Sequence, residues 1–275
     1  MMNFGIVLII ITVLISYRGF TNAFFFDNYK FEVDKILIDK DYKRLITAGF
    51  LHVNWMHLIF NMLSLYFFAR ILIAQLGTFH FLLIYFAGLL GGNLLALLIH
   101  KHNGDYCAVG ASGAVIGIIF ASIGLFPQYG IGFIGLPFSI PSWLFGILYI
   151  AYTIYGIKSD KDTIAHEAHL GGALVGMLIA IVIRPSAVIE NFVPIMAITI
   201  PTIVFIFLII TKPQLLFINT RFYKPQTTNY TEDDKYNTAK INKQKELNRL
   251  LDKISNKGIE SLSQKEKEKL EEYSK

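Results

Sequence analysis

The sequence predicts an all-α polytopic membrane protein, a helical bundle followed by a short soluble helical tail. Of the 275 residues, 54% are apolar and only 16% are charged. A soluble domain is typically about 25% charged, so most of this chain needs a solvent other than water. The charges are also segregated: they are sparse up to about Thr211, and dense from Lys212 onward, where the long apolar runs stop. The formal net charge of +5 is therefore mostly a property of the tail. No basic patch interleaved with aromatics accompanies it, which argues against nucleic acid as a partner. Cys107 is the only cysteine, which excludes an intrachain disulfide framework and any multi-cysteine metal site.

A helix needs about 20 apolar residues to cross a bilayer. Seven stretches qualify, at 3–19, 54–76, 79–100, 110–127, 140–157, 164–184 and 190–211. The first has no basic segment ahead of its apolar run and is expected to be a retained span rather than a signal peptide. Segment 18–53 is too polar to cross. Phe24, Phe25, Phe26, Tyr29 and Phe31 are expected at the headgroup level, with Lys30, Lys35 and Lys40 snorkelling. Loop 127–141 carries no charge, and Pro137 and Pro141 suit the start of the following helix. In the tail, Ile241, Leu247, Leu250, Leu251 and Ile254 fall at helical spacing. Gly258 is a stop signal, and Ser263 to Glu266 is a capping box opening a second helix against which Leu270 and Tyr273 can pack. The expected organisation is a core over 1–186, an additional transmembrane helix over 187–211, a linker over 212–236 and a soluble helical hairpin over 237–275.

Polar groups inside spans are costly and point to function. The second span begins with His57-Leu-Ile-Phe-Asn61, the fourth with Gly110-Ala-Ser112-Gly113, and the sixth with His166-Glu-Ala-His169-Leu-Gly-Gly172. These three spans run in the same direction, so groups near their starts share one depth. A serine hydroxyl needs a neighbouring base to become a nucleophile, and neutral histidine supplies one. An oxyanion needs fixed donors: the Asn61 amide, a His57 ring nitrogen and the Ser112 backbone N–H qualify. Spacing of four puts His57 and Asn61 on one helix face. Gly113 with Gly117, and Gly172 with Gly176, are small-xxx-small patterns that let membrane helices approach closely, and Gly110 permits a bend before the serine. The alternatives are an ordinary membrane serine, interhelical polar contacts and plain packing glycines. The coincidence of all of them at one depth favours the catalytic reading. A metal reading of His166 and His169 fails on spacing, because helical zinc proteases place their histidines four apart, so no metal or other cofactor is expected.

These motifs resemble the rhomboid family of intramembrane serine proteases over roughly residues 1–211. Gly110-Ala-Ser112-Gly113 is similar to the family's GxSG element, and Ala168-His169-Leu-Gly-Gly172 with the trailing Gly176 is similar to AHxxG. His57 to Asn61 matches the family's HxxxN. The resemblance implies a six-helix core plus a seventh span, with a Ser112–His169 dyad lacking an acidic third member and with His57, Asn61 and the Ser112 amide holding the oxyanion. It also implies that His52 and Arg44 brace the first loop. Two positions depart from the pattern: Lys43 stands where a tryptophan is common, and Ile116 where an aromatic often stacks on the catalytic imidazole. The tail resembles a C-terminal extension of some bacterial members, and no partner is assigned to it.

The implied partners are single-span or polytopic membrane-protein substrates and the lipid bilayer. The implied location is a bacterial cell (inner) membrane, with the site facing the outer side. The positive-inside rule points the other way, because Arg18, Lys30, Lys35, Lys40, Lys43, Arg44, Lys101, Lys158 and Lys161 lie on the site's face while Arg70 and Arg184 lie opposite. Asp27, Glu32, Asp34, Asp39 and Asp41 share the first loop, and the outer side is the expectation adopted. Two rivals remain: a non-proteolytic relative that binds membrane clients, and a small-ion or metal transporter using His52, His57 and His169.

Overall fold

The computed structural model describes residues 4–132, 138–159 and 164–212, together with Leu250, Lys253, Ile254, Ser261 to Gln264, Glu266 and Leu270. Two compact units divide the chain, Met1–Pro225 and Gln226–Lys275.

In the first unit, α1 (Phe4–Thr21) is followed by the short helices α2 (Ala23–Tyr29), α3 (Val33–Leu37) and α4 (Arg44–Thr47) and a 3-10 turn at Ala48–Phe50. The long α5 (Trp55–His100) comes next, then α6 (Ser112–Leu125), α7 (Ser142–Ser159), α8 (His166–Ile183), α9 (Ser186–Glu190) and α10 (Phe192–Thr211). Strand β1 (Phe31–Glu32) pairs antiparallel with β2 (Cys107–Ala108), and β3 (Gly130–Gly132) pairs with β4 (Ser139–Pro141).

Among the described residues four helices, α1, α5, α8 and α10, are long and apolar enough to cross a bilayer. At 46 residues, α5 is too long for one crossing. It breaks at Gly77, where φ is +80°, a conformation open to glycine, and so supplies the expected second and third spans as two limbs. With three tyrosines and Lys158 in its 18 residues, α7 is less apolar than the others. With 14 residues, α6 extends only about 21 Å against a hydrocarbon core of ~30 Å, so at least one of its ends lies inside the membrane. From Gly113 to Leu125 every residue of α6 is buried. Protein, not lipid, is its solvent.

Glycines set the spacing around α6. A Cβ on Gly117 would sit 3.1 Å from the Gly172 carbonyl oxygen and 3.2 Å from the Gly88 Cα. A Cβ on Gly172 would lie 2.9 Å from the Gly113 carbonyl carbon, and one on Gly176 would collide with the Gly117 backbone. Both small-xxx-small pairs therefore form the contact of α6 with α8. The second limb of α5 joins them through Gly88, and through Gly91 and Gly92 packed on α8.

Segment 18–53 departs from expectation. Phe31 is fully buried in a cluster with Val33, Ile36, Ala48, Ala96 and Ala168, so protein covers it rather than headgroups, whereas Phe24 is 78% exposed. Lys30 pairs with Asp27 at 2.9 Å and Lys35 with Asp39 at 2.8 Å. Arg44, 4% exposed, donates from Nη1 to the Asp27 and Lys30 carbonyls at 2.8 Å each and from Nε to Asp41 at 3.0 Å. Among the described residues of loop 127–141, Gly130–Gly132 and Ser139–Pro141 form the β3–β4 ladder.

In the second unit the Ser263 N–H donates to Glu266 Oε2 at 2.8 Å, and the Glu266 N–H donates to Ser263 Oγ at 3.3 Å. That is the reciprocal geometry of a capping box. Lys253 sits 2.7 Å from the same carboxylate. The lysine and the serine hold Glu266 down to about 2. Leu250 and Leu262 are buried. Pro137, Lys161, Ile241, Leu247, Leu251, Gly258, Tyr273 and all but the first residue of the linker lie outside the described residues.

Candidate active site

Ser112 opens α6 and His169 lies in the first turn of α8. Their polar atoms meet: His169 Nε2 is 2.7 Å from Ser112 Oγ, across 57 residues of chain. The short glycine contacts of α6 on α8 make that approach possible, since a side chain at Gly172 would press on the Gly113 backbone and hold the two helices apart. The first backbone N–H groups of α6 have no acceptor within the helix. They point toward the end at which the helix dipole favours negative charge.

The chain reaches Ser112 through a built support. The β1–β2 pairing puts Phe31 opposite Ala108, and the Gly110 N–H donates to the Ala48 carbonyl at 3.0 Å. Gly110 has φ +134°, a left-handed conformation that a side chain would strain by ~1–3 kcal/mol. A Cβ there would also lie 2.8 Å from His57 Cε1, 2.9 Å from His57 Nε2 and 3.6 Å from Ser112 Oγ. The space that glycine leaves open is thus bounded by the His57 ring edge and the serine hydroxyl. Gly110→Ala is expected to lower any Ser112-dependent turnover by about 10²-fold or more, since ~1 Å of misplacement costs that much. A wild-type rate for this variant in a reconstituted assay would contradict the geometry.

His57 stands against His52, ring centroids 4.8 Å apart and edge to face. Asn61, 7% exposed, donates from Nδ2 to the His57 carbonyl at 2.9 Å. One amide hydrogen is so engaged and the second remains available. No hydrogen bond joins Asn61 to Ser112 among the described residues.

His52 is fully buried, and its tautomer follows from its partners. Ser16 Oγ on α1 donates to the Phe50 carbonyl at 2.8 Å, so its lone pair faces His52 Nδ1 at 2.9 Å and Nδ1 carries the proton. Nε2 then accepts the Ala111 N–H at 3.4 Å. A neutral His52 thereby ties α1 to the residue preceding Ser112. Burial, with the His57 ring as the lesser cause, pushes it down to about 3. The folded state stays neutral there while an unfolded chain binds a proton below about 6.5, so stability is full above that pH and falls as pH drops toward 3. Thermal midpoints in detergent should decline over that window, and His52→Gln should flatten the decline; an identical slope in both proteins would refute it.

Further residues meet here, most of them, unlike His166 and Glu167, absent from the sequence reading. Tyr149 of α7 places its hydroxyl 2.9 Å from His169 Nδ1. His166, buried against Gly156, stacks edge to face on Tyr152 at 5.2 Å. Glu167 lies 3.3 Å from His100, whose ring stacks on Tyr106 at 3.6 Å. Ile116 is 7% exposed and belongs to the main core. The tyrosines carried no signal in sequence, because an apolar span rich in tyrosine reads the same whichever way it faces.

Residues 39–186, more than half of the chain, match the model of the Rhomboid domain. The chain belongs to the rhomboid family. Residues 230–275 match a second family, one of unknown function (DUF6576). The rhomboid match agrees with proteins to which the chain is similar. "RHOMBOID-like protein 12, mitochondrial" of Arabidopsis thaliana is 30% identical over 189 residues, covering 63% of this chain and 56% of that protein. "Rhomboid protein 1, mitochondrial" of Saccharomyces cerevisiae is 29% identical over 157 residues, 54% of this chain and 45% of that one. "Putative rhomboid protease YdcA" of Bacillus subtilis is 41% identical over 75 residues, 27% and 37% respectively. The chain spans about half the length of the first two. The rhomboid family and the apolar helices make this an integral membrane protein. Relatives named mitochondrial lend the expected bacterial cell membrane no support.

Proposed function

We propose that this rhomboid is an intramembrane serine endopeptidase that cleaves transmembrane segments of other membrane proteins, with Ser112 as nucleophile and His169 as general base. The 2.7 Å approach of His169 Nε2 to Ser112 Oγ carries this reading. The proposed order begins with a substrate helix unwinding locally, because a helical peptide bond is sterically shielded. Ser112 Oγ then bonds to the exposed carbonyl carbon as its proton passes to His169 Nε2. The oxyanion is held by the Ser112 N–H at the start of α6, the His57 ring and the second Asn61 amide hydrogen. As the carbon–nitrogen bond breaks, His169 returns the proton to the leaving amine, and water, activated by the same imidazole, frees the acyl group. The recessed α6 supports cleavage below the membrane surface, and its polar start supports a route for water.

Residues 1–186 are proposed as the catalytic core, 187–211 as an added helix and 237–275 as a separate tail module, with the site facing the outer side. Charge on that face is partly cancelled within the first loop by the Lys30, Lys35 and Arg44 ion pairs. The test is cleavage of a panel of single-span substrates in proteoliposomes by wild type and by Ser112→Ala. Cleavage confined to the wild type is expected; equal cleavage by both would refute the role of Ser112, and cleavage by neither would leave the client-binding alternative standing.

A further inference from the structure

The aromatic that many rhomboids carry four residues past the serine is Ile116 here, so something else must orient the imidazole. Tyr149 is in contact with it. Its hydroxyl lies 2.9 Å from His169 Nδ1, and the two rings are 6.3 Å apart at 31°, so the contact is through the oxygen and not by stacking. The phenol ring is itself held, against Phe145 at 5.7 Å and Phe120 at 5.8 Å.

The direction of the Tyr149–His169 hydrogen bond matters. A neutral imidazole carries one proton. Were the phenol to donate to Nδ1, the proton would sit on Nε2, the atom facing Ser112, and no base would remain. With Nδ1–H donating to the phenol oxygen, Nε2 presents its lone pair to the serine. The phenol proton then needs an acceptor of its own. One turn further along α7, the Thr153 hydroxyl is fully buried without a hydrogen-bond partner of ordinary geometry among the described residues.

We propose that Tyr149 is a positioning residue for the dyad: its phenol oxygen accepts the His169 Nδ1–H and so holds the imidazole in the tautomer whose bare Nε2 faces Ser112. This rests on the protease reading above. The bond also strengthens when His169 becomes positive, because hydrogen bonds to charged groups are stronger than neutral ones. The role normally given to a carboxylate, orienting the base and supporting its charge, falls here to a neutral phenol from a neighbouring helix.

The test uses the full chain in proteoliposomes, with Ser112→Ala, Tyr149→Phe and 3-fluorotyrosine at position 149. Tyr149→Phe keeps the ring and removes the oxygen; kcat is expected to fall by about 10-fold or more, with KM unchanged. Fluorination keeps shape and hydroxyl but weakens the oxygen as an acceptor, so its kcat should fall between wild type and phenylalanine. A purely structural ring would not respond to fluorination. Wild-type kcat in the fluorinated protein, whatever phenylalanine does, overturns the proposal and leaves the protease reading intact so long as cleavage still requires Ser112. Cleavage indifferent to Ser112→Ala overturns both.

Discussion

Ser112→Ala and His169→Ala should each lower cleavage of a transmembrane substrate by at least ~10⁴-fold, with the double variant no slower than either single one. The expectation follows from the 2.7 Å contact: each group works only through the other, so removing the second loses nothing further. Neither change creates a clash, because both truncate a side chain, and thermal midpoints should stay near wild type. A serine-directed fluorophosphonate should label the wild type and fail on both variants. Additive losses, or labelling that survives without His169, would mean that the two groups do not act as a unit.

Gly172→Leu should abolish activity by another route. The Gly172 position has backbone on its far side: a Cβ would stand 3.1 Å from the Gly113 Cα and 2.9 Å from its carbonyl carbon. Backbone cannot swing aside as a side chain can, so α8 must move away from α6. Overpacking of this kind costs typically ~1–3 kcal/mol, and the displacement separates His169 from Ser112. Gly172→Ala should cost about 10²-fold in kcat, the scale of a ~1 Å misplacement, and the leucine variant should be at background. Gly132→Ala is the control, since a Cβ there meets nothing within 4 Å, and it should keep wild-type kcat. Comparable losses at Gly172 and Gly132 would show that helix spacing is not what sets the dyad.

Both experiments probe a candidate site whose polar side chains were legible before any coordinates. Ser112, His169, His57 and Asn61 could be read because a polar group in an apolar span is conspicuous. The spacing of four between His57 and Asn61 forces one face. The glycine pairs were legible as packing motifs, and Gly113 and Gly172 do meet, yet nothing in their spacing identified Gly88 as the third surface. Ser16 and Tyr149 were invisible in sequence: each sits among apolar neighbours in its own helix, and its importance lies in a partner elsewhere in the chain. The β1–β2 pairing was hidden for a related reason, since two-residue strands separated by about seventy positions leave no periodicity to detect.

By itself, then, the sequence determined which segments leave water, where they stop and which side chains can carry chemistry, because transfer into a bilayer depends on local composition summed along the chain. Only the tertiary structure decided which faces of those helices look at one another. In a span where nearly every face is apolar, hydropathy does not distinguish a lipid-facing side chain from one turned inward. The choice between them is made by backbone contact at the glycines and by hydrogen bonds such as Tyr149 to His169 and Ser16 to His52, which link residues 20 and 36 positions apart.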